Sequence, residues 1–430
     1  MVLVLERRTT ERYRHRVPTL GPAFWWVWTA TTLSAVGDGL ALVAFPLLAL
    51  QHTSDARLVA GVAVAQRLPW LVCSLLAGAL ADRVQPRRFL AVVEWSRMAI
   101  LVALAACVAL HAGGLLVLYV AAFGLGSLET GYSAAALGIV PALVRDGDLG
   151  KANGYLYAGL TAGEQFVGPA IGGLVFAAGA AVPFVADGVS FLISAVLLTG
   201  ALRGTTMARN KSGQSLLTDT REGLRWFRAH TEVRDLAAAI ASLAFCQAMV
   251  LSILVLLCVQ TLGLSPAGYG LFLAVGALGN LFGGAIAGRV RSIETRDLLR
   301  IAGLAAAAAY ATVALAPNAQ IAAVAFVIEA IAVALGNVAT VSLRQRMIPP
   351  ELLGRVGNIF RTWIFGAMPL GALLAGFLAE VSSPRIAILV AAVAQWALVS
   401  VFVARLRREP TIDLRTADRP ADAERISAAV

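Results

Sequence analysis

Charge is what this sequence lacks. Asp, Glu, Lys and Arg make up 14% of its 430 residues, against about 25% in an ordinary soluble domain. The shortage runs the whole length of the chain, broken only by short basic punctuation between long apolar runs. A hydrophobic content of 59% and a mean hydropathy of +0.78 exceed what a soluble core can hide, and point to a polytopic membrane protein. Cysteine is also scarce: Cys73, Cys107, Cys246 and Cys258 lie inside apolar runs without metal-ligand spacing. They read as small packing residues, and neither a disulfide framework nor a metal centre is expected. The histidines (His15, His52, His111, His230) fall in loops or tails, again without ligand spacing. No Walker motif and no nucleophile–histidine set is visible, so no enzyme is expected, and uphill work would have to use an ion gradient. The formal charge of +10 does not indicate nucleic acid, because the basic residues cap apolar runs and form no single patch. The N-terminus, "MVLVLERRTTERYRHR", has too short an apolar start for a cleavable signal.

What is present is a succession of apolar runs, each long enough to cross a core about 30 Å thick. They cover about 24–50, 58–81, 89–111, 115–141, 153–179, 182–202, 236–262, 268–288, 298–317, 320–343, 357–380 and 384–404. The gaps between them alternate between basic and bare. Arginines crowd the N-tail, the stretch around Arg83, Arg87 and Arg88, the middle loop and the C-tail, whereas "HAGG", "LGLSPA" and "PNA" have none. By the positive-inside rule this predicts twelve helices with both termini in the cytoplasm. Trp25, Trp26 and Trp28 suit an interfacial belt on the same side. In the middle loop, Leu217, Leu224 and Phe227 stand near helical spacing among arginines. That pattern fits either an amphipathic helix on the inner leaflet or a solvated linker.

The two halves echo one another. "AGALADRV" (Ala77 to Val84) aligns with "GGAIAGRV" (Gly283 to Val290), and "VPALVRDGDLGKANG" resembles "IPPELLGRVGN". Related halves about one axis are what rocking-bundle transport requires. The expected division is an N-tail (1–20), a first six-helix bundle (21–205), a linker (206–235), a second bundle (236–404) and a C-tail (405–430).

Charges buried in lipid cost about 2.5–3.5 kcal/mol each, so they should face protein or a wet cavity. Counting 1.5 Å per residue puts Asp38 and Arg67 about 20 Å deep, where they can pair. The same count places Glu129 and Glu164 at about 17–18 Å, and Asp187 and Glu329 near about 22 Å. Five acids thus share the central third with one arginine. A carboxylate that alternates between holding a proton and holding a cation is the minimum chemistry of proton-coupled export. Asp38 and Glu164, then Glu129, lead as coupling acids. Asp187 reads as a structural hydrogen-bonding residue, and Glu329 suits coupling or cation binding. Glu94 and Arg97, three apart and about one turn inside their helix, suit a local pair. The glycines of "GPAIGG" (Gly168, Pro169, Gly172, Gly173) report tight helix packing, with Pro169 permitting a kink.

"GALADRVQPRR" (Gly78 to Arg88) resembles the loop between helices two and three of the major facilitator superfamily. "SAVGDGL", "EWSR", "VPFVADGVSFLISA", "EGLRWFR" and "IPPELLGRV" resemble its drug:proton antiporter branch, which includes macrolide and siderophore exporters. Gly168-Pro169-Ala-Ile-Gly172-Gly173 matches the end of the antiporter pattern of helix five. Glu164 stands where that pattern has glycine, and the fourth span carries Glu129 in place of an arginine. The resemblance implies a cytoplasmic gate of Gly78, Asp82, Arg83, Arg87, Arg88, Glu94 and Arg97, with Asp82 facing the start of helix eleven. It implies an all-α membrane fold of two pseudo-symmetric six-helix bundles in a bacterial cytoplasmic membrane, acting as a monomer. The expected activity is proton-driven export of a hydrophobic, amphipathic or cationic small molecule. The expected partners are that substrate, protons and lipid, with no cofactor beyond the proton gradient. The residues leave open uptake symport of a metabolite and a non-transporting membrane sensor.

Overall fold

The computed structural model describes residues 20–73, 84–136, 138–203, 216–287, 289 and 293–406. Gly78, Asp82 and Arg83 lie outside them, and with them the proposed contact of Asp82. Among the described residues every regular element is helical. The membrane-crossing helices are α1 (Pro22–His52), α2 (Ala56–Val72), α3 (Pro86–Ala109), α4 (Leu115–Ala136), and α5, which runs through Leu149–Thr161, Ala162–Val167 and Gly168–Ala178. They continue with α6 (Val182–Ala201), α7 (Thr231–Leu256, extended by Leu257–Thr261), α8 (Pro266–Ala287), α9 (Thr295–Leu315), α10 (Ala319–Met347), α11 (Leu353–Val381) and α12 (Pro384–Arg405). Ten of these are long and apolar enough to span by themselves. The other two are α2, whose described part stops at Val72, and α5, broken by a π-helical turn over Ala162–Val167.

Local chemistry sets the helix starts. Proline opens α1, α3, α6 and α12 within the first two positions, where its missing N–H is no loss. Asp55 caps α2 by accepting from the Arg57 N–H at 2.8 Å, and Asn318 caps α10 by accepting from Ile321 at 3.0 Å.

Packing repeats with a six-helix offset. In the first half α1 lies on α5 and α6, α3 on α4 and α6, and α2 on α4. In the second half α7 lies on α11 and α12, α9 on α10 and α12, and α8 on α10. The halves meet through two pairs related by the same exchange, α2 with α11 and α5 with α8. Small residues allow these approaches. A Cβ on Gly39 of α1 would sit 2.9 Å from the Cα of Gly168 on α5, too close for any side chain.

The linker helix (Leu216–Ala229) carries the expected amphipathic segment, but Phe227 turns toward protein instead of the leaflet. It is buried, with its ring 6.2 Å from Phe360 and 5.8 Å from Trp363 of α11. Glu222 pairs with Arg355 at 2.6 Å on the same helix. An apolar ring gains as much by covering another helix as by entering lipid, and α11 is within reach.

Candidate functional site: a charged cavity in the first bundle

One cavity of about 800 Å³ lies within the first bundle, with the second half closing it at one point. Its walls come from α1 to α6, with Arg361 of α11 as the second half's contribution. Asp38, Arg67, Glu129, Glu164 and Asp187 all line it. Toward one face it extends past Val140, Pro141, Asn153 and Tyr157, at the connection between α4 and α5.

Toward the other face the halves are shut. A Cβ on Gly173 of α5 would collide with the carbonyl of Pro266 at the start of α8. The carboxylate of Glu380, at the end of α11, accepts the N–H of Ala56 at 2.8 Å, so an acid sits on the positive end of α2. Beside it, Asp55 is held at about 2 by hydrogen bonds from Arg57. Its folded value is depressed, so this cap is fully formed at neutral pH and is lost only as pH falls through about 2.

Arg97 organises the carboxylates. It lies eleven residues into α3, about 16 Å from that helix's start. Its side chain is 3% exposed and pairs with Glu129, whose side chain is 39% exposed to the cavity. The guanidinium carbon is 5.0 Å from the Tyr132 ring centre and 5.1 Å from that of Phe191, within cation–π range of both. Asp38, Glu94 and Glu129 all act on it electrostatically. The expected local pair with Glu94 is not what the fold builds. Glu94 is fully buried and accepts from Ser194 of α6 at 3.0 Å, and its second oxygen has no hydrogen-bond partner among the described residues. The resemblance put Arg97 in a cytoplasmic gate, whereas the structure places it deeper, lining the cavity.

The expected Asp38–Arg67 pair is also absent among the described residues. The groups that act on Asp38 are Asp187, Arg97, Glu129 and Glu164, and Arg67 acts on Glu164. Consecutive helices need not be packed partners: α1 lies chiefly on α5 and α6, which sets Asp38 against Asp187. Asp187 itself accepts from Ser190 at 3.2 Å while lining the cavity, so it is both a hydrogen-bonded and a cavity residue. Glu164 occupies the π-helical turn of α5, with Pro169 following five residues later. Such turns re-aim a side chain and recur at functional sites. Gly168, Pro169, Gly172 and Gly173 are all turned toward helix neighbours.

Glu329 stands apart. It is buried in the second half and accepts from the Tyr310 hydroxyl at 2.6 Å, linking α9 to α10. Arg87 donates to the Thr199 carbonyl at 3.1 Å, which joins α3 to α6, and Arg88 is exposed. Asn280 donates to Gln165 at 2.9 Å across the α5–α8 seam. Among the described residues no group of three His, Cys, Asp or Glu could hold a metal ion.

Sequence reasoning missed Arg361 and Trp70, and misplaced Arg97. Three arginines, not one, face the cavity acids. An arginine inside "NIFRTWIFGAMPL" was the available signal.

Two six-helix bundles exchanged by a pseudo-twofold, with a charged chamber lined chiefly by the first, define a membrane transporter of the major facilitator superfamily. The profile of one of its families, described as transmembrane secretion effector, matches residues 17–429, and the chain belongs to that family. The multidrug efflux pump Tap of Mycolicibacterium fortuitum is 31% identical over 405 residues, covering 90% of this chain and 97% of that protein. Two solved folds are similar. A bacterial homologue of the iron transporter ferroportin superposes with TM-score 0.73 at 17% identity, over 91% of this chain and 100% of its own. A bacterial homologue of the human lysosomal transporter Spinster gives 0.72 at 16%, over 90% and 98%.

Proposed function

We propose that the protein is a proton-driven exporter of small hydrophobic, amphipathic or cationic compounds, working by alternating access. The observation that carries this reading is the convergence of Asp38, Glu129, Glu164 and Asp187 on one cavity, around the nearly buried Arg97. The loop arginines assign the open face, at the α4–α5 connection, to the cytoplasm. This is the side from which an exporter loads, and the efflux relative favours that direction.

The chemistry is an exchange of partners. An ionised Glu129 holds Arg97. A proton taken up by the acid cluster changes which carboxylates the guanidinium faces, since Asp38 and Glu94 lie near it as well as Glu129. The acid pair Asp38–Asp187 and the cavity-facing Glu164 then differ in affinity for a cation according to where Arg97 sits. Proton and substrate thereby compete for one set of charges, which is the requirement for antiport.

In proteoliposomes with an imposed pH gradient, the double variant Asp38→Asn, Glu164→Gln is expected to lose gradient-driven ethidium transport at least about tenfold, equivalent to about 1.4 kcal/mol of coupling. Transport at the wild-type rate in that variant rules out this assignment of the coupling acids.

A further inference from the structure

The second half touches the cavity through Arg361, and what that residue rests on is specific. Its guanidinium carbon lies 5.4 Å from the centre of the Trp70 ring, within cation–π range. Trp70 is itself fixed by Phe365, whose ring stacks on it at 4.4 Å and 15°. Trp70 belongs to α2 and the other two residues to α11, so the arrangement spans the two bundles. Among the described residues Arg361 forms no ion pair, although four carboxylates line the same chamber. An arginine that leaves acids unanswered and sits on an aromatic ring is held there chiefly by the ring.

We propose that the Trp70 ring is the seat for the cationic or quaternary centre of the transported compound, and that Arg361 occupies it as a built-in stand-in until substrate arrives. This rests on reading the cavity as the substrate site. A delocalised organic cation competes well for an indole face, because it is more weakly hydrated than a compact ammonium ion. When it displaces Arg361 it leaves four carboxylates facing two arginines, Arg67 and Arg97, and this acid excess favours the bound cation further. The displacement also undoes one tie between α2 and α11. Return of Arg361 expels the cation. The ligand class is therefore a lipophilic organic cation with its charge spread over or shielded by aromatic groups.

The test is equilibrium binding of tetraphenylphosphonium to the purified full chain in detergent, without a gradient. Tetraphenylborate, of the same shape and opposite charge, is the control. Arg361→Ala is expected to bind the phosphonium about 3–10-fold more tightly, and Trp70→Leu about 5–30-fold more weakly, the range of a partly desolvated cation–π contact. Trp70→Phe should fall between wild type and Trp70→Leu. In the Trp70→Leu background the gain from Arg361→Ala should vanish, since the two residues contend for one place. Arg361→Gln and Trp70→Phe serve in the same cycle if the larger changes do not fold.

A gain that persists without Trp70 means a general charge effect and overturns the proposal. An equal gain for tetraphenylborate means mere widening and does the same. Weaker phosphonium binding by Arg361→Ala, or no binding by the wild type, also overturns it. Because no gradient is present, a failed cycle alongside intact pH-driven ethidium flux removes only the Trp70 seat. An intact cycle without pH-driven flux removes only the antiport.

Discussion

Arg97→Gln should abolish gradient-driven efflux and destabilise the first bundle together. The substitution takes a cation from among Asp38, Glu94 and Glu129, all of which act on it, and two of those carboxylates have no other positive neighbour of comparable burial. Removing one member of a buried pair costs about 3–5 kcal/mol. The lower end applies here, because the Glu129 side chain is 39% exposed. At about 1.4 kcal/mol per decade, a loss of this size is worth about a hundredfold in any equilibrium that depends on the pair. Thermal unfolding followed by gel filtration, alongside ethidium efflux, reads both effects. Arg97→Lys should recover folding better than efflux. An ammonium restores the charge but not the planar group within cation–π range of the Tyr132 and Phe191 rings, whose centres lie 5.0 and 5.1 Å from the guanidinium carbon. Wild-type efflux from Arg97→Gln would leave the partner-exchange scheme without its pivot.

The second large effect concerns the closed face. At Gly173 a Cβ would lie 2.9 Å from the Cα of Ala267 and closer still to the Pro266 carbonyl, all of it backbone that cannot swing aside. Gly173→Val therefore forbids the α5–α8 contact that shuts this side. The bundles are then driven to the alternative arrangement, in which the α4–α5 face closes. A single cysteine at Asn153, which lines the present opening, introduced into a cysteine-free background, should label with a membrane-impermeant maleimide at least about tenfold more slowly in Gly173→Val, a shift of about 1.4 kcal/mol between the two states. Transport should stop, since a protein held in one state cannot cycle. Unchanged labelling with intact transport would show that the Gly173 contact does not govern access.

Much of this was legible beforehand because lipid constrains the chain so strongly. Spans could be read from apolar length, and where the residues are described their ends lie within about five residues of the helices, as with 182–202 against Val182–Ala201. The cavity acids were legible for the same reason: a carboxylate in a membrane span needs water or a partner, so Asp38, Glu129, Glu164 and Asp187 had to converge on something. Glu329 shows the limit of that rule. It needed a partner and found the Tyr310 hydroxyl, which no pattern of charges could have named. Pairing was hidden because sequence neighbours are not packing neighbours, so Asp38 meets Asp187 across α1 and α6 instead of Arg67. The interruption in α5 was half visible: Pro169 announced a weak hydrogen-bond ladder, but a π turn that aims Glu164 inward requires the backbone itself.

The lopsided lining of the chamber has a consequence for how such a transporter diversifies. Among the described residues, the side chains lining the chamber come from before residue 200 except for Arg361. A chimera joining residues 1–205 of this chain to the later helices of the Tap relative should keep this chain's substrate selectivity in a transport assay while turning over at a different speed. Changes in selectivity would then map to the first half of the chain, with the second acting as the lever that works it.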